Sequence, residues 1–386
     1  MQAFAPKQTM IPSQRHLFDI PEDIAYLNCA YLGPLSHAVA SAGRRAMTSK
    51  AHPWHLSSED FFTDTEVARA LFARIINASP DDIALIPAAS YGVSVAAHNL
   101  PLGAGQTVVM LAEQFPSNVY AWRESAAHAG AELVAVERLG DSDLTGAVLD
   151  AMDERTAIAA LPNCHWADGA LLDLQRVGAR CRELGASLVL DVTQSVGVLP
   201  LDVQAIQPDF LATACYKWLL GPYSTGFLYV APHRQAGKPI EFNWRNRLGS
   251  QDFAGLVNYE DAYLPGARRF DVGECAGFQT LPAVIAALEQ LLGWGVTAIG
   301  QTLAARNADI AEKAAALGLE AIDANRRAGH FLGLRSPTGF PSNLLGELRA
   351  EGVYLSVRGD SLRITPHVYN DDADVERLIH ALRRAL

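Results

Sequence analysis

Nowhere in this chain do two cysteines stand in a Cys-x-x-Cys pair. Its five cysteines, Cys29, Cys164, Cys181, Cys215 and Cys275, are scattered and odd in number, which argues against a disulfide framework and a structural zinc site. Clusters of basic residues are also missing, and 31 Lys and Arg against 42 Asp and Glu leave a formal charge of −11. Such a balance disfavours nucleic acid and anionic membrane surfaces as partners. No apolar run is long enough to span a bilayer, and the first fifteen residues lack the apolar stretch of a signal peptide, so a cytoplasmic location is expected. Repeats and low-complexity tracts are absent too, which sets aside solenoid and disordered architectures.

What is present is a 49% hydrophobic chain of 386 residues, enough for a large domain and a smaller one. After an N-terminal arm, the spacing predicts helices over residues 36–50 and 61–76, the second preceded by Ser57-Ser58-Glu59-Asp60 as a capping group. Short β-rich runs then alternate with amphipathic helices: 83–86, 107–111, 132–136, 157–161, 187–191, 209–213 and 226–230. Runs this short and this apolar read as strands buried on both faces of a mostly parallel sheet. Beyond an aromatic and arginine-rich loop at Phe242–Arg247 the alternation ends. Long helical patterns and strands at 330–334, 353–356 and 362–365 indicate a smaller α+β domain. The expected division is an N-terminal arm at 1–25, a large domain at 26–260 and a small one at 261–386.

On a parallel sheet the ligand sits at the carboxyl ends of the strands, so the residues just after each run are the candidates. After the first comes Pro87-Ala88-Ala89-Ser90-Tyr91-Gly92, a helix start with Ser90 beside free N–H groups and Gly92 allowing close approach, suited to a phosphate. Ser90 is equally an ordinary N-cap. Phe115, in Glu113-Gln114-Phe115-Pro116, offers either a flat stacking surface or a hydrophobic staple. Asn163-Cys164-His165-Trp166-Ala167-Asp168 is a polar loop in which His165 is catalytic or simply hydrogen-bonded. Asp191 follows three large apolar residues, where burial is costly unless a cation or donor meets it, and Gln194 lies one turn on.

Lys217 then follows the sixth run in Ala214-Cys215-Tyr216-Lys217-Trp218. Either it snorkels into water, or apolar surroundings depress its pKa and leave the neutral amine needed for a Schiff base. Phosphate cradle, flat ring, polar loop, carboxylate and lysine, in that order, are the partners that pyridoxal 5′-phosphate needs.

These motifs, with Arg269-Phe270-Asp271-Val272-Gly273 and Leu362-Arg363-Ile364, resemble the class V aminotransferase family of fold-type I pyridoxal-phosphate enzymes. That family includes cysteine desulfurases, selenocysteine lyases, kynureninase and isopenicillin N epimerase. The resemblance implies that Lys217 carries the Schiff base and moves protons, Asp191 pairs with the pyridine nitrogen, and Gln194 and Asn163 lie at the phenolic oxygen. It implies further that Phe115 stacks on the ring, Ser90 and Tyr216 bind phosphate, and Arg363 clamps the α-carboxylate of an amino-acid substrate, with His165 nearby. The N-terminal arm is implied to fold back and join the small domain, and a homodimer with shared sites is implied, with Arg245 or Arg247 reaching across.

Departures from the family pattern are Ala214 in place of a phosphate-binding serine, Glu274 in place of a threonine, and no cysteine after Val357-Arg358-Gly359. The last speaks against cysteine desulfurase of the thiolate-loop type. Aminotransferase is the first expectation; lyase or hydrolase, then epimerase, are the alternatives, and a degenerate fold kept for binding is the non-enzymatic one.

Overall fold

Apolar runs of four to seven residues cannot satisfy their backbone groups alone, and here seven of them pair into one sheet. The computed structural model describes residues 10–138 and 143–386. In chain order these hold β1 (Ala25–Tyr26), α1 (His37–Lys50), α2 (Thr63–Ile76), β2 (Ile83–Ile86), α3 (Ala89–Asn99), β3 (Thr107–Leu111), α4 (Tyr120–Ala129), β4 (Glu132–Val136) and α5 (Leu144–Asp150). There follow β5 (Thr156–Pro162), α6 (Leu174–Leu184), β6 (Ser187–Asp191), α7 (Val203–Ile206), β7 (Phe210–Ala214) and β8 (Gly226–Val230). The second half adds α8 (Leu281–Trp294), α9 (Val296–Ala315), β9 (Glu320–Ala321), β10 (Leu332–Arg335), α10 (Leu344–Ala350), β11 (Val353–Tyr354), β12 (Ser356–Arg358), β13 (Ser361–Ile364) and α11 (Asp372–Ala385).

The large sheet runs β2-β8-β7-β6-β5-β3-β4. Its pairs from β7 to β4 are parallel, and β8 runs antiparallel to both β7 and β2. Every residue of β2, β3, β6, β7 and β8 is buried, as strands covered by helices on both faces must be, whereas β4 at the edge is mostly exposed or half-buried. The α/β class and the mostly parallel sheet expected from the alternation are therefore present.

The second sheet, β12-β13-β10-β9, is antiparallel and carries α9, α10 and α11 over a core of its own. Ala25 and Leu27 belong to that core, and β1 pairs in parallel with β11. Farther up the arm, the Gln14 N–H donates to Val368 O at 2.8 Å, and Arg15 pairs with Asp374 at 2.9 Å. Among the described residues no single helix is long and apolar enough to cross a membrane; α8 and α9 are bent by 74° at their junction.

Several expectations differ in detail. The run 353–356 is two strands, because β11 serves β1 while β12 turns into the other sheet. Asp60 accepts the Ser57 N–H at 2.6 Å in a turn of its own, and α2 begins at Thr63 with no side-chain cap. Helix α7 was not expected; the Asp202 carboxylate caps it by accepting from the N–H groups of Gln204 and Ala205.

Arg245 and Arg247 are engaged within the chain. Arg245 is buried and pairs with Asp271 at 3.2 Å, and Asp271 also pairs with the buried Arg69 at 2.8 Å. Arg247 donates to Asp261 O at 2.6 Å and lies 4.0 Å from the centre of the Tyr263 ring. Glu274, which departs from the family's threonine, is exposed and makes no ion pair with either among the described residues. Asp271 takes both guanidinium charges because its own carboxylate is buried between them.

Candidate active site

The chain segments after β2, β3, β5, β6 and β7 converge on a cavity of about 380 Å³. Lys217 lines it and is 6% exposed, its ammonium 5.3 Å from the centre of the Phe115 ring and 5.5 Å from that of Tyr216. Burial pulls its pKa down to about 8; Asp191 opposes that shift, while Arg363 and Arg358 add to it. The lysine does not snorkel. The loop carrying Gly33 packs on its backbone so closely that a Cβ at Gly33 would lie 2.2 Å from Lys217 O, and the Gly33 N–H donates to Tyr216 O at 2.8 Å.

Asp191 is the only carboxylate lining the cavity among the described residues. Burial raises its pKa, against hydrogen bonds from Thr193 and the Lys217 charge. One of its oxygens accepts the Thr193 N–H at 3.0 Å. Gln194 also lines the cavity, and its amide is held at both ends: Trp218 Nε1 donates to its oxygen at 3.0 Å, and its nitrogen donates to Ala30 O at 3.2 Å.

Ser90 lines the cavity from the first turn of α3, which is capped by Ala88 rather than by Ser90. Gly92 serves a different end from the one expected. A Cβ there would lie 2.8 Å from Ala212 Cβ on β7, so this glycine lets α3 lie close on the sheet rather than admit a ligand.

The β5 loop brings only some of its polar candidates to the cavity. Pro162, Cys164 and Trp166 line the cavity, while Asn163 and His165 do not. Extended backbone turns alternate side chains to opposite sides, and here the odd-numbered pair faces away. Asn163 donates to Leu172 O at 3.3 Å; His165 is fully buried, with Nδ1 accepting from the Ala167 N–H at 3.3 Å.

Thr193, Tyr223 and Ser224 line the cavity and were not singled out in the sequence. Tyr223 stands with its ring 4.6 Å from Tyr216, whose own pKa burial raises to about 12. Among the described residues five non-glycine residues have positive φ; Asn77 and Gln207 are helix C-caps, whereas Glu113, Leu220 and Ser224 flank or line the cavity. Backbone strain of about 1–3 kcal/mol per such residue gathers where a site is held in one shape.

Arg363, 2% exposed on β13, does not itself line the cavity but lies behind Trp166, which does. Its Nε donates to Ser356 Oγ at 3.1 Å and its Nη1 to Trp166 O at 3.0 Å, and no carboxylate pairs with it among the described residues. Burial, together with the charge of Arg358, lowers its pKa to about 9. A buried guanidinium without an acid is poised for an anionic ligand.

Residues 39–243, which supply all the large-domain strands, match the family described as Aminotransferase class-V. The chain belongs to that family. It is 29% identical to an uncharacterized aminotransferase, YcbU, of Bacillus subtilis over 82% of each chain, and 26% identical to isopenicillin N epimerase of Streptomyces clavuligerus over 93% of this chain and 94% of that one. In fold it is similar to a mutant of C-DES solved with glycine covalently linked to the PLP cofactor: TM-score 0.86, 20% identity, 96% of this chain and 98% of that one covered. The architecture is thus fold-type I.

Class V aminotransferases are pyridoxal-phosphate enzymes acting on amino acids, and this chain is an enzyme that requires that cofactor. The residues fit the group: an amine of lowered pKa, a buried carboxylate awaiting a cation, an aromatic face 5.3 Å from the amine and a helix N-terminus share one cavity. Among the described residues no group of three or more His, Cys, Asp or Glu side chains is placed to hold a metal.

Proposed function

We propose that the protein is an aminotransferase in which Lys217 binds the cofactor and shuttles the substrate proton. The observation that carries this reading is the Lys217 amine itself, buried in the cavity beside Phe115 with a pKa near 8. When bound, pyridoxal phosphate withdraws electron density from the substrate's Cα. The chain's residues do the rest. Lys217 Nζ, partly neutral near pH 7–8, accepts the Cα proton and returns it to a neighbouring carbon. Asp191 would pair with the protonated ring nitrogen, a cation that offsets the cost of its burial. Phe115 would cover the ring face, and Ser90 and Tyr216 would hold the phosphate. Arg363 takes the α-carboxylate with its free edge, fixing the Cα–H bond relative to Lys217.

Gln194, held at both ends by Trp218 and Ala30, keeps one N–H free for the ring oxygen. Against a thiolate-loop desulfurase stands the turn Gly359-Asp360 between β12 and β13, which leaves no loop there for a mobile cysteine. All five cysteines are buried, and burial raises each thiol's pKa.

A homodimer is proposed as well, supported by an apolar surface on the 242–259 loop, where Tyr259 is 97%, Val257 78% and Phe242 74% exposed.

The test of the reaction is single-turnover mixing of holoenzyme with a panel of amino acids. Transamination converts the cofactor to its aminated form and yields a 2-oxo acid. Pyruvate, alanine or sulfide released with the cofactor unchanged would replace this reading by a lyase.

A further inference from the structure

Arg358 lies over Trp166, behind the cavity wall, without an acidic partner among the described residues. Strands β12 and β13 pair Ser356 with Arg363 and Arg358 with Ser361, so Arg358 and Arg363 are diagonal neighbours on one face of the sheet. Such positions lie about 7–8 Å apart at the backbone. Arg358 is half-buried; its Nη1 donates to Val357 O at 2.8 Å, and its guanidinium lies 5.9 Å from the centre of the Trp166 ring that lines the cavity.

Acids near it are already committed. Asp360 pairs with Arg335 at 3.2 Å, and Asp168 is shared between Arg335, at 3.0 Å, and Arg138, which also holds Glu113. Neither Arg358 nor Arg363 makes an ion pair among the described residues. Both bear on the site, since their charges help to depress the Lys217 pKa. Two guanidinium groups thus stand behind Trp166, which lines a cavity whose only carboxylate among the described residues is Asp191. One α-carboxylate balances one of them.

We propose that Arg358 is a second anion-recognition residue and that the substrate is an amino acid with a carboxylate on its side chain. This rests on the aminotransferase reading, because it assigns Arg363 to the α-carboxylate and leaves Arg358 for the distal one. Trp166 orients Arg358 by stacking, and Arg335, by holding Asp360 and Asp168, keeps those acids from cancelling its charge.

The experiment compares near-isosteric pairs that differ in charge, L-glutamate with L-glutamine and L-aspartate with L-asparagine. Holoenzyme of the wild type, Arg358→Ala and Arg358→Lys is titrated and assayed at fixed ionic strength. Wild type is expected to favour one acid over its amide by at least about tenfold in kcat/KM, the value of one charged hydrogen bond. Arg358→Ala should abolish that preference by lowering the acid's kcat/KM about tenfold more than the amide's, and Arg358→Lys should restore part of it. A structural role for Arg358 would lower acid and amide together, so equal loss on both members of a pair overturns the inference, as does a wild type without preference. In either of those outcomes the amino acids still change the cofactor's absorption. If none does, the aminotransferase reading fails first, and this inference with it.

Discussion

The indole N–H of Trp218 donates to the side-chain oxygen of Gln194 across 3.0 Å, tying the residue beside Lys217 to the loop that follows Asp191. Trp218 is fully buried and meets the His330 ring edge-on at 4.5 Å, and His330 Nε2 in turn lies 2.6 Å from Gln194 O. Lysine, carboxylate and amide therefore move as one unit. Trp218→Phe keeps an aromatic ring and removes the donor. It should cost about 1–3 kcal/mol in urea unfolding, because Gln194 Oε1 is left without its partner, and should speed cofactor loss on dialysis. Unchanged cofactor retention would show that Gln194 is not held by this bond.

Titration of Lys217 gives a stability signature in the cofactor-free protein. Its pKa is near 8 in the fold and about 10.4 in an unfolded chain, so between those values the unfolded state binds more protons. The Lys217 contribution therefore opposes folding by on the order of 3 kcal/mol below pH 8 and is relieved as pH rises toward 10.4. Relative to wild type, Lys217→Met should be more stable at pH 7, with the difference shrinking at alkaline pH. The rate of cofactor uptake by wild type should rise toward pH 8 and then level off. A rate still climbing steeply past pH 9 would mean that the amine is not shifted.

Asp271 is buried between Arg69 and Arg245 and also accepts the Leu85 N–H at 2.7 Å on β2. Asp271→Ala leaves two buried guanidinium charges with no acid between them, a loss of about 3–5 kcal/mol. Chemical denaturation should show it as a lowered midpoint. A change within 0.5 kcal/mol would mean that the pairs contribute nothing net.

If the 242–259 loop is the dimer face, Val257→Glu with Tyr259→Asp should halve the mass measured by light scattering and leave the circular dichroism spectrum intact. A wild type already monomeric at micromolar concentration would contradict the homodimer.

Much of this was legible in the sequence because both-face burial leaves a plain mark. The runs at β2, β3, β4, β6 and β8 have the expected limits, and Asp191, Gln194, Phe115, Tyr216, Ser90 and Lys217 fall on one cavity. Asn163 and His165 were chosen for their polarity, but alternation along extended chain decides which side chains face the cavity, and it selects Pro162, Cys164 and Trp166. Arg245 and Arg247 looked free because their partners, Asp271 and Tyr263, are remote in sequence. Arg358 was passed over for the same kind of reason. A missing ion pair becomes visible only once the neighbouring acids have been assigned.

The most direct measurement is borohydride reduction of the holoenzyme followed by peptide mass spectrometry. The account predicts a yellow protein that bleaches on reduction and carries one phosphopyridoxyl group per chain on the peptide containing Lys217, lost in Lys217→Ala. Reduction that leaves the cofactor free, or attaches it to another lysine, would contradict the assignment on which the whole site is built.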